Sequence, residues 1–314
     1  MSIESTSNLV RAGLCAQAAV ADNEPVRRKV GRFREARRTK LLRAALGGLS
    51  RVLPTLAAHV GYRMLATPPR VAERPWQREL RLQARVVRVA VGAGTVAVYE
   101  WGAHDGPTIL MVHGWGARAT QMGRMIGPLV SAGFRVVSFD APAHGESTGR
   151  SADLVEFAGA VHQVARFAGP LAGVIAHSFG AAMAQLAARD WGVIAKRQVL
   201  ISSIDHCGWI CDTFGRYAGL TEGVVDRMKL MMVERHNGRF EWARTSVVDM
   251  LRQSSAATLL IHDEGDEEIP FQHSVALRDG CRNATLLATH GLGHHRLLAD
   301  RSVIDEVVRF MAAR

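Results

Sequence analysis

The chain has 314 residues, enough for one large α/β domain with additions or for two small domains. Its composition, 48% hydrophobic and 22% charged, is typical of a globular protein. The formal net charge is +10, but residues 1–90 hold 18 of the 39 Lys and Arg and only 6 of the 29 Asp and Glu. Residues 91–314 therefore carry a small negative excess. The basic charge belongs to an N-terminal segment, and it does not indicate a main domain that binds nucleic acid.

Three general features favour a cytoplasmic protein. The four cysteines are scattered without a C-x-x-C pair, which is typical of free thiols in a reducing compartment. The first residues, MSIESTSN, lack the cationic start and apolar core of a secretory signal. No run of 18 uncharged apolar residues occurs, so a membrane-spanning helix is not expected.

Residues 1–80 are predicted to form a basic, partly disordered and partly helical extension. Residues 1–26 are small and polar and are expected to lack a fixed fold, and the basic run RRKVGRFREARRTK follows at 27–40. Residues 41–65 predict one or two helices broken near Pro54. The extension either packs on the main domain or rests on an anionic membrane surface as a basic amphipathic segment. Poor segregation of apolar and polar positions favours packing.

Residues 81–314 predict an α/β domain. The segments ARVVRVAVG and TVAVYEW alternate apolar and polar residues and predict an antiparallel hairpin. Six short apolar runs follow, typical of strands buried on both faces: TILMVHG, FRVVSFD, LAGVIAHS, RQVLISS, ATLLIHD and ATLLATH. Helical patterns separate them, including one over 153–169 and one over 302–313, where Ser302 and Asp305 have the spacing of a capping box. Strand alternating with helix predicts a doubly wound, mostly parallel sheet.

Residues 206–250 interrupt this alternation, because they are too long for a single crossover. They are expected to be a small helical insertion with its own apolar surface, and some of its apolar side chains are expected to face substrate. Those side chains are Trp209, Phe214, Tyr217, Met228, Met231, Met232, Phe240 and Trp242.

The stretch VIAHSFG, residues 174–180, predicts a nucleophile at Ser178 on a sharp turn from strand to helix. Such a turn needs small residues two positions on either side, and Ala176 and Gly180 supply them as a relaxed form of G-x-S-x-G. The turn lifts the hydroxyl clear of the sheet and aims the backbone N–H of Phe179 at a developing oxyanion. The glycine-flanked Trp115 in HGWG offers a second backbone N–H.

A base and an orienting acid follow the serine in the order Ser, Asp, His. Asp266 comes after one predicted strand and His294 after the next, so that both lie on loops at the carboxyl edge of the sheet. Asp263 and Asp205 compete for the role of the acid, and His295 competes for that of the base. His113, His144 and His177 are interpreted as structural.

The ordered motifs HGWG, DAPAHGES, AHSFG, IHDEGDEEIP and GLGHH make residues 84–314 resemble the α/β-hydrolase fold family, in its serine-nucleophile branch. The resemblance implies that Ser178 is the nucleophile, His294 the base and Asp266 the acid, with Trp115 and Phe179 as oxyanion donors. It also implies that 206–250 is the cap. Two departures are alanines, Ala176 and Ala143, at usual glycine positions, and a third is the sequence H-D-E-G-D in the acid loop.

The expected function is therefore hydrolysis of an apolar, small-molecule carboxylic ester through an acyl-enzyme, without a cofactor. The sequence contains no H-E-x-x-H motif or similar spacing, so no metal site is predicted. Thioester or carbon–carbon bond hydrolysis by the same triad, and a non-catalytic ligand-binding protein, remain as alternatives. Peripheral membrane contact through the basic N-terminal segment is a further expectation.

Overall fold

A computed structural model describes residues 25–313, with side chains from residue 39 onward. The expectation that residues 1–26 lack a fixed fold lies, up to residue 24, outside the described residues. Helix α1 spans Pro25–Val52, and α2 spans Pro54–Leu65. The predicted break near Pro54 is confirmed, but the predicted start near residue 41 is wrong. The helix takes in the basic run because Arg and Lys are good helix formers.

Eight strands form one sheet: β1 (Arg85–Val91), β2 (Gly94–Trp101), β3 (Thr108–Val112), β4 (Arg135–Phe139), β5 (Leu171–His177), β6 (Ala195–Ile201), β7 (Ala257–Asp263) and β8 (Ala284–Thr289). Their order across the sheet is β1-β2-β4-β3-β5-β6-β7-β8. Strand β2 pairs antiparallel with both β1 and β4, and every other pairing is parallel. The predicted hairpin and the doubly wound, mostly parallel sheet are confirmed.

Helices flank the sheet, and the longer ones bury apolar side chains against it. They are α3 (Pro75–Leu82), α4 (Ile126–Ser131), α5 (Leu154–Ala168), α6 (Phe179–Trp191), α9 (Val247–Arg252), α10 (Gln272–Gly280), α11 (Gly293–Arg296) and α12 (Arg301–Ala312), with 3-10 turns at Gly123–Met125 and Leu297–Ala299. The helical pattern over 153–169 is confirmed as α5, which buries Leu154, Phe157, Ala158, Val161 and Val164 on one face. The capping box predicted at Ser302 is wrong: Asp300 caps α12 and accepts a hydrogen bond from Val303 N.

The core lies on both faces of the central strands. All five residues of β3 and all five of β4 are buried. The largest fully buried side chains include Tyr99, Phe139, Phe157 and Met111, which pack between the sheet and its helices. A sheet buried on both faces is rigid, so the loops at its carboxyl edge are held in fixed positions.

A second compact unit joins the described residues up to Pro69 to the inserted segment Gly208–Arg244. The insertion forms α7 (Gly208–Ala218), α8 (Glu222–Arg235) and a 3-10 turn at Trp242–Arg244. Helix α2 packs closely on α8, because a Cβ at Gly61 would lie 2.8 Å from Met228 Sδ. The sheet with its helices, Arg70–Cys207 and Thr245–Arg314, is the other unit.

Two expectations concern the whole chain. Cys207, Cys211 and Cys281 are buried free thiols, as predicted, and Cys15 lies outside the described residues. Of the helices in residues 25–313, none has the length and apolarity needed to cross a bilayer.

Candidate active site

Ser178 occupies a strained turn between β5 and α6. Its backbone has φ 56° and ψ −127°, a conformation that L-residues rarely adopt and that the surrounding structure must hold in place. The Ser178 amide donates to the carbonyl of Ile201 at 2.8 Å, which ties the turn to β6. Gly180 is required here, because a Cβ would lie 2.2 Å from the His113 carbonyl oxygen. The sequence therefore places a half-buried hydroxyl at the carboxyl edge of the sheet.

Two hydrogen bonds link three residues that are far apart in sequence. Ser178 Oγ lies 3.0 Å from His294 Nε2, and His294 Nδ1 lies 2.7 Å from Asp266 Oδ2. A carboxylate only accepts hydrogen bonds, so the His294 proton sits on Nδ1 and Nε2 accepts from the serine hydroxyl. This is the tautomer that a histidine needs in order to take a proton from serine.

Asp266 is buried and heavily hydrogen-bonded. Its Oδ1 accepts from the amides of Glu268 and Ile269, both at 2.9 Å, and its Oδ2 lies 3.2 Å from His262 Nε2. Burial alone raises the pKa of a carboxyl, but the hydrogen bonds from His262, His294 and Ile269 outweigh it and hold the pKa of Asp266 well below its usual range. The group is therefore a carboxylate at neutral pH.

The two competing carboxylates are engaged elsewhere. Asp263 Oδ2 accepts from the Thr289 hydroxyl at 2.8 Å and from the Leu292 amide at 2.9 Å, which braces the loop that carries His294. Asp205 Oδ1 lies 2.6 Å from His273 Nδ1. The structure thus brings Asp266, rather than either alternative, to His294. The competing histidine, His295, pairs with Glu268 at 3.0 Å.

Two other histidines, His113 and His144, brace the loops around Ser178. His113 Nδ1 donates to the Gly114 carbonyl at 2.7 Å, and its Nε2 accepts from the Ala141 amide at 3.0 Å. His144 Nδ1 donates to the Pro142 carbonyl at 2.9 Å. Burial lowers the pKa of His113 to about 4 and that of His144 to about 3, so both are neutral hydrogen-bonding groups. Their predicted structural role is confirmed.

The HGWG loop holds the predicted oxyanion donor Trp115 between two anchored amides. Gly114 N donates to Gln121 Oε1 at 2.8 Å, and Gly116 N donates to His144 Nε2 at 3.0 Å. The second predicted donor, Phe179, is the first residue of α6, where backbone N–H groups have no partner within the helix. Sequence reasoning missed Gln121, whose position carries no motif.

The neighbouring DAPAHGES loop is organised by Asp140. This buried carboxylate accepts from the Ala119 amide at 2.7 Å, the Glu146 amide at 2.8 Å and the Tyr99 hydroxyl at 3.0 Å. A Cβ at Gly145 would lie 2.1 Å from Asp140 Oδ2. Ala143, the alanine at a usual glycine position, has φ 66° and is therefore strained in the left-handed region.

Two residues near Asp266 and His294 carry no signal in the sequence alone. His262 is fully buried and touches both Asp266 Oδ2 and the Ser274 hydroxyl, which lies 2.7 Å from its Nδ1. Glu268 lies two residues after Asp266, and its Oε2 is 3.8 Å from His294 Nε2. From the sequence alone, a histidine in a predicted strand is interpreted as a core residue, and a glutamate in an acidic loop as a surface residue.

His177, His294 and His295 present ring nitrogens within 4.8 Å of one another, a spacing that suits a divalent metal ion. Both nitrogens of His294 already take part in hydrogen bonds, and His295 Nε2 pairs with Glu268. A metal ion at this cluster would have to break the bond from His294 to Ser178 or to Asp266. The donor set therefore fits a proton relay better than a resident metal.

Solved structures share this fold at low sequence identity. An esterase of Pyrococcus furiosus, Pf2001, has a TM-score of 0.59 and 18% identity over 78% of this chain and 96% of its own. Est1E of Butyrivibrio proteoclasticus, solved with ferulic acid bound, has a TM-score of 0.57 and 17% identity over 72% of this chain and 100% of its own. A thioesterase domain from the curacin biosynthetic pathway has a TM-score of 0.56 and 15% identity, covering 73% of this chain and 99% of that domain.

A human serine hydrolase-like protein is 37% identical over 62 residues, which is 20% of this chain. The match spans only 30% of the human protein. The alpha/beta hydrolase family matches residues 109–309, a range that includes the turn at Ser178 and the loops bearing Asp266 and His294. On that match, this chain belongs to the alpha/beta hydrolase family.

Proposed function

We propose that the protein is a serine hydrolase that cleaves carboxylic esters through an acyl-enzyme. The observation that carries this proposal is the continuous hydrogen-bonded path from Ser178 Oγ through the His294 ring to Asp266, with lengths of 3.0 and 2.7 Å. Both distances lie within the range that a nucleophile and its base require.

In the acylation step, His294 Nε2 takes the hydroxyl proton as Ser178 Oγ attacks the ester carbonyl. The carbonyl oxygen gains negative charge and is stabilised by the backbone N–H groups of Trp115 and Phe179. His294 then delivers its proton to the alcohol oxygen, the C–O bond breaks and the alcohol departs. Asp266 stays ionised throughout and holds the imidazolium in position.

In the deacylation step, water replaces the alcohol. His294 Nε2 takes a proton from water as the water oxygen attacks the acyl carbonyl, and it returns that proton to Ser178 Oγ as the acid leaves. No cofactor takes part in this sequence. In each step His294 Nε2 takes up one proton and then releases it.

The substrate class is proposed to be a small-molecule ester with an uncharged, apolar acyl group, on the composition of the inserted segment. Half of the apolar side chains singled out there, Phe214, Met228, Met232 and Phe240, are buried. They are interpreted as core of the helical unit rather than as substrate contacts. The other four, Trp209, Tyr217, Met231 and Trp242, are half-buried, so the proposal of an apolar acyl group rests on the composition of the segment alone.

A panel of p-nitrophenyl esters of graded acyl length, run alongside Ser178→Ala, tests the proposal. We expect turnover by the wild-type protein, loss of at least a thousandfold in the variant, and stoichiometric fluorophosphonate labelling of wild type only. An acyl-CoA in the same panel separates ester from thioester preference. If folded wild-type protein neither hydrolyses the esters nor reacts with the fluorophosphonate, the alternative of a non-catalytic ligand-binding protein is favoured.

A further inference from the structure

A second carboxylate lies beside His294 Nε2, the nitrogen that accepts the Ser178 proton in the proposed mechanism. Glu268 Oε2 lies 3.8 Å from His294 Nε2, and Glu268 Oε1 lies 3.0 Å from His295 Nε2. The Glu268 side chain is only 15% exposed. Nothing in the mechanism proposed above uses this group.

The position of Glu268 is set by the acid of the triad. Its backbone amide donates to Asp266 Oδ1 at 2.9 Å, which ties the main chain at Glu268 to the Asp266 carboxylate. One carboxylate oxygen is held by His295. The other faces His294 Nε2 at a distance too long for a hydrogen bond, so it is near that nitrogen without competing for the Ser178 hydroxyl.

Two neighbouring ionisable groups, Asp266 and His177, do not offset the negative charge of Glu268. Asp266 is also negative, but two amides, His262 and His294 share its charge. His177 is neutral, because burial first and then the nearby His294 and His295 hold its pKa well below the usual value. Glu268, which is paired with His295, is the carboxylate of the acid loop that faces His294 Nε2.

Ester hydrolysis brings the alcohol portion of the substrate to this carboxylate. The alcohol oxygen must come within hydrogen-bond distance of His294 Nε2 to receive its proton. The groups attached to that oxygen then lie within a few ångströms of Glu268. Charges at such separations near a protein surface interact strongly enough to change rates about tenfold or more.

Building on the proposed ester hydrolysis, we propose that Glu268 selects substrates by the charge of the alcohol portion. It favours an alcohol with a cationic group near the scissile oxygen and disfavours one with an anionic group there. It is a specificity-determining residue, and the ester bond is broken by the triad.

The test compares two esters of one carboxylic acid, the choline ester and its uncharged isostere, the 3,3-dimethylbutyl ester. Wild type is expected to favour the choline ester by about tenfold in kcat/KM, and the ratio is expected to fall to about one in Glu268→Gln. The preference should also weaken as NaCl is raised, since screening reduces interactions between partly exposed charges.

Glu264→Gln is the matched control, because Glu264 lies in the same loop, is half exposed and pairs with His290 at 3.2 Å. This variant should keep the wild-type ratio. Where turnover of both esters is too slow to measure, the ratio is read from the rates at which methylphosphonates with the same two leaving groups inactivate Ser178.

The outcomes separate the two proposals. A charge ratio that is the same in wild type and Glu268→Gln overturns the role of Glu268 and leaves ester hydrolysis intact. Failure of both esters and both phosphonates to react with folded wild type overturns the proposed function itself.

Discussion

His177 holds the main chain of His294: its Nε2 donates to the His294 carbonyl oxygen at 3.0 Å. His177 directly precedes Ser178, and its bond fixes the main chain of His294, which lies on a loop 117 residues further along the chain. The ring of His177 is fully buried and lies 4.6 Å, centroid to centroid, from that of His294. The turn at Ser178 and the loop that carries His294 are therefore tied together directly.

We expect replacement of His177 to slow the reaction of Ser178, because the loss of its hydrogen bond displaces His294. In His177→Gln a side-chain N–H can still reach the carbonyl, whereas His177→Met has similar length and no donor. The Met variant should show a kcat/KM at least about tenfold below that of the Gln variant, because misplaced catalytic groups cost large factors in rate. Fluorophosphonate labelling rates, measured well below each Tm, check this. Equal labelling rates in the two variants would show that the bond has no positioning role.

Asp266→Asn should lower kcat by about a thousandfold or more, because an amide can donate to His294 Nδ1 and favour the wrong tautomer. Asp205→Asn is the control, since Asp205 pairs with His273 instead. Steady-state kinetics on the best p-nitrophenyl ester measure both. A small effect at Asp266 together with a large one at Asp205 would contradict the assignment of the acid.

Asp266 also predicts a pH dependence of stability. Its pKa in the folded protein lies well below the usual 3.8, so its hydrogen bonds stabilise the fold at pH values above about 4, and this contribution is lost as pH falls further. We expect the Tm of Asp266→Asn to lie below that of wild type at pH 7, and the gap to narrow toward pH 3. Thermal melts across this range measure it. A gap that widens toward acid would mean that the carboxyl is not held in its ionised form.

Ala143→Gly should stabilise the protein by about 0.5–1 kcal/mol. Ala143 has φ 66°, where a Cβ costs about 1–2 kcal/mol, and the greater chain entropy of glycine in the unfolded state offsets part of the gain. Ala132→Gly, at the C-terminal end of a helix with φ −81°, should destabilise instead. Chemical denaturation measures both free energies of unfolding. A destabilised Ala143→Gly would contradict the strain argument.

The buried pair of Arg135 and Glu100 should contribute to stability without touching catalysis. Arg135 Nε donates to Glu100 Oε2 at 2.9 Å, and both side chains are less than a tenth exposed. Glu100→Gln should cost about 3 kcal/mol, since it leaves the guanidinium without its counter-charge. Glu306→Gln, at the exposed pair with Arg309, should cost less than about 0.5 kcal/mol. Denaturant titration measures both, and comparable losses would refute the distinction.

Membrane contact by the N-terminal segment remains a prediction. Residues 51–56, RVLPTL, are all exposed where α1 meets α2, including Val52, Leu53 and Leu56. Residues 39–69 contain four Lys and Arg and no Asp or Glu. We expect the full chain to co-sediment with anionic phosphatidylserine vesicles more than with neutral phosphatidylcholine vesicles. Replacing Val52, Leu53 and Leu56 together by Ser should reduce pelleting, and equal pelleting would reject the contact.

The sequence by itself determined the eight strands, their mostly parallel pairing and the position of the elbow at Ser178. Short apolar runs separated by helical stripes leave little choice of architecture, because each run must be buried on both faces. The order Ser178, Asp266, His294 follows from the same pattern, since successive loops meet at one edge of the sheet.

Only the tertiary structure decided among neighbours in the loops. Asp263 and Asp266 are the same residue type in one loop, and so are His294 and His295. They are distinguished by the hydrogen bonds that each side chain makes in the folded loop. The braces from His177, His262 and Gln121, and the carboxylate of Glu268 beside His294, join segments up to 117 residues apart. Such contacts depend on side-chain direction within a folded loop, which local pattern does not encode. The start of α12 at Arg301, capped by Asp300, was decided in the same way.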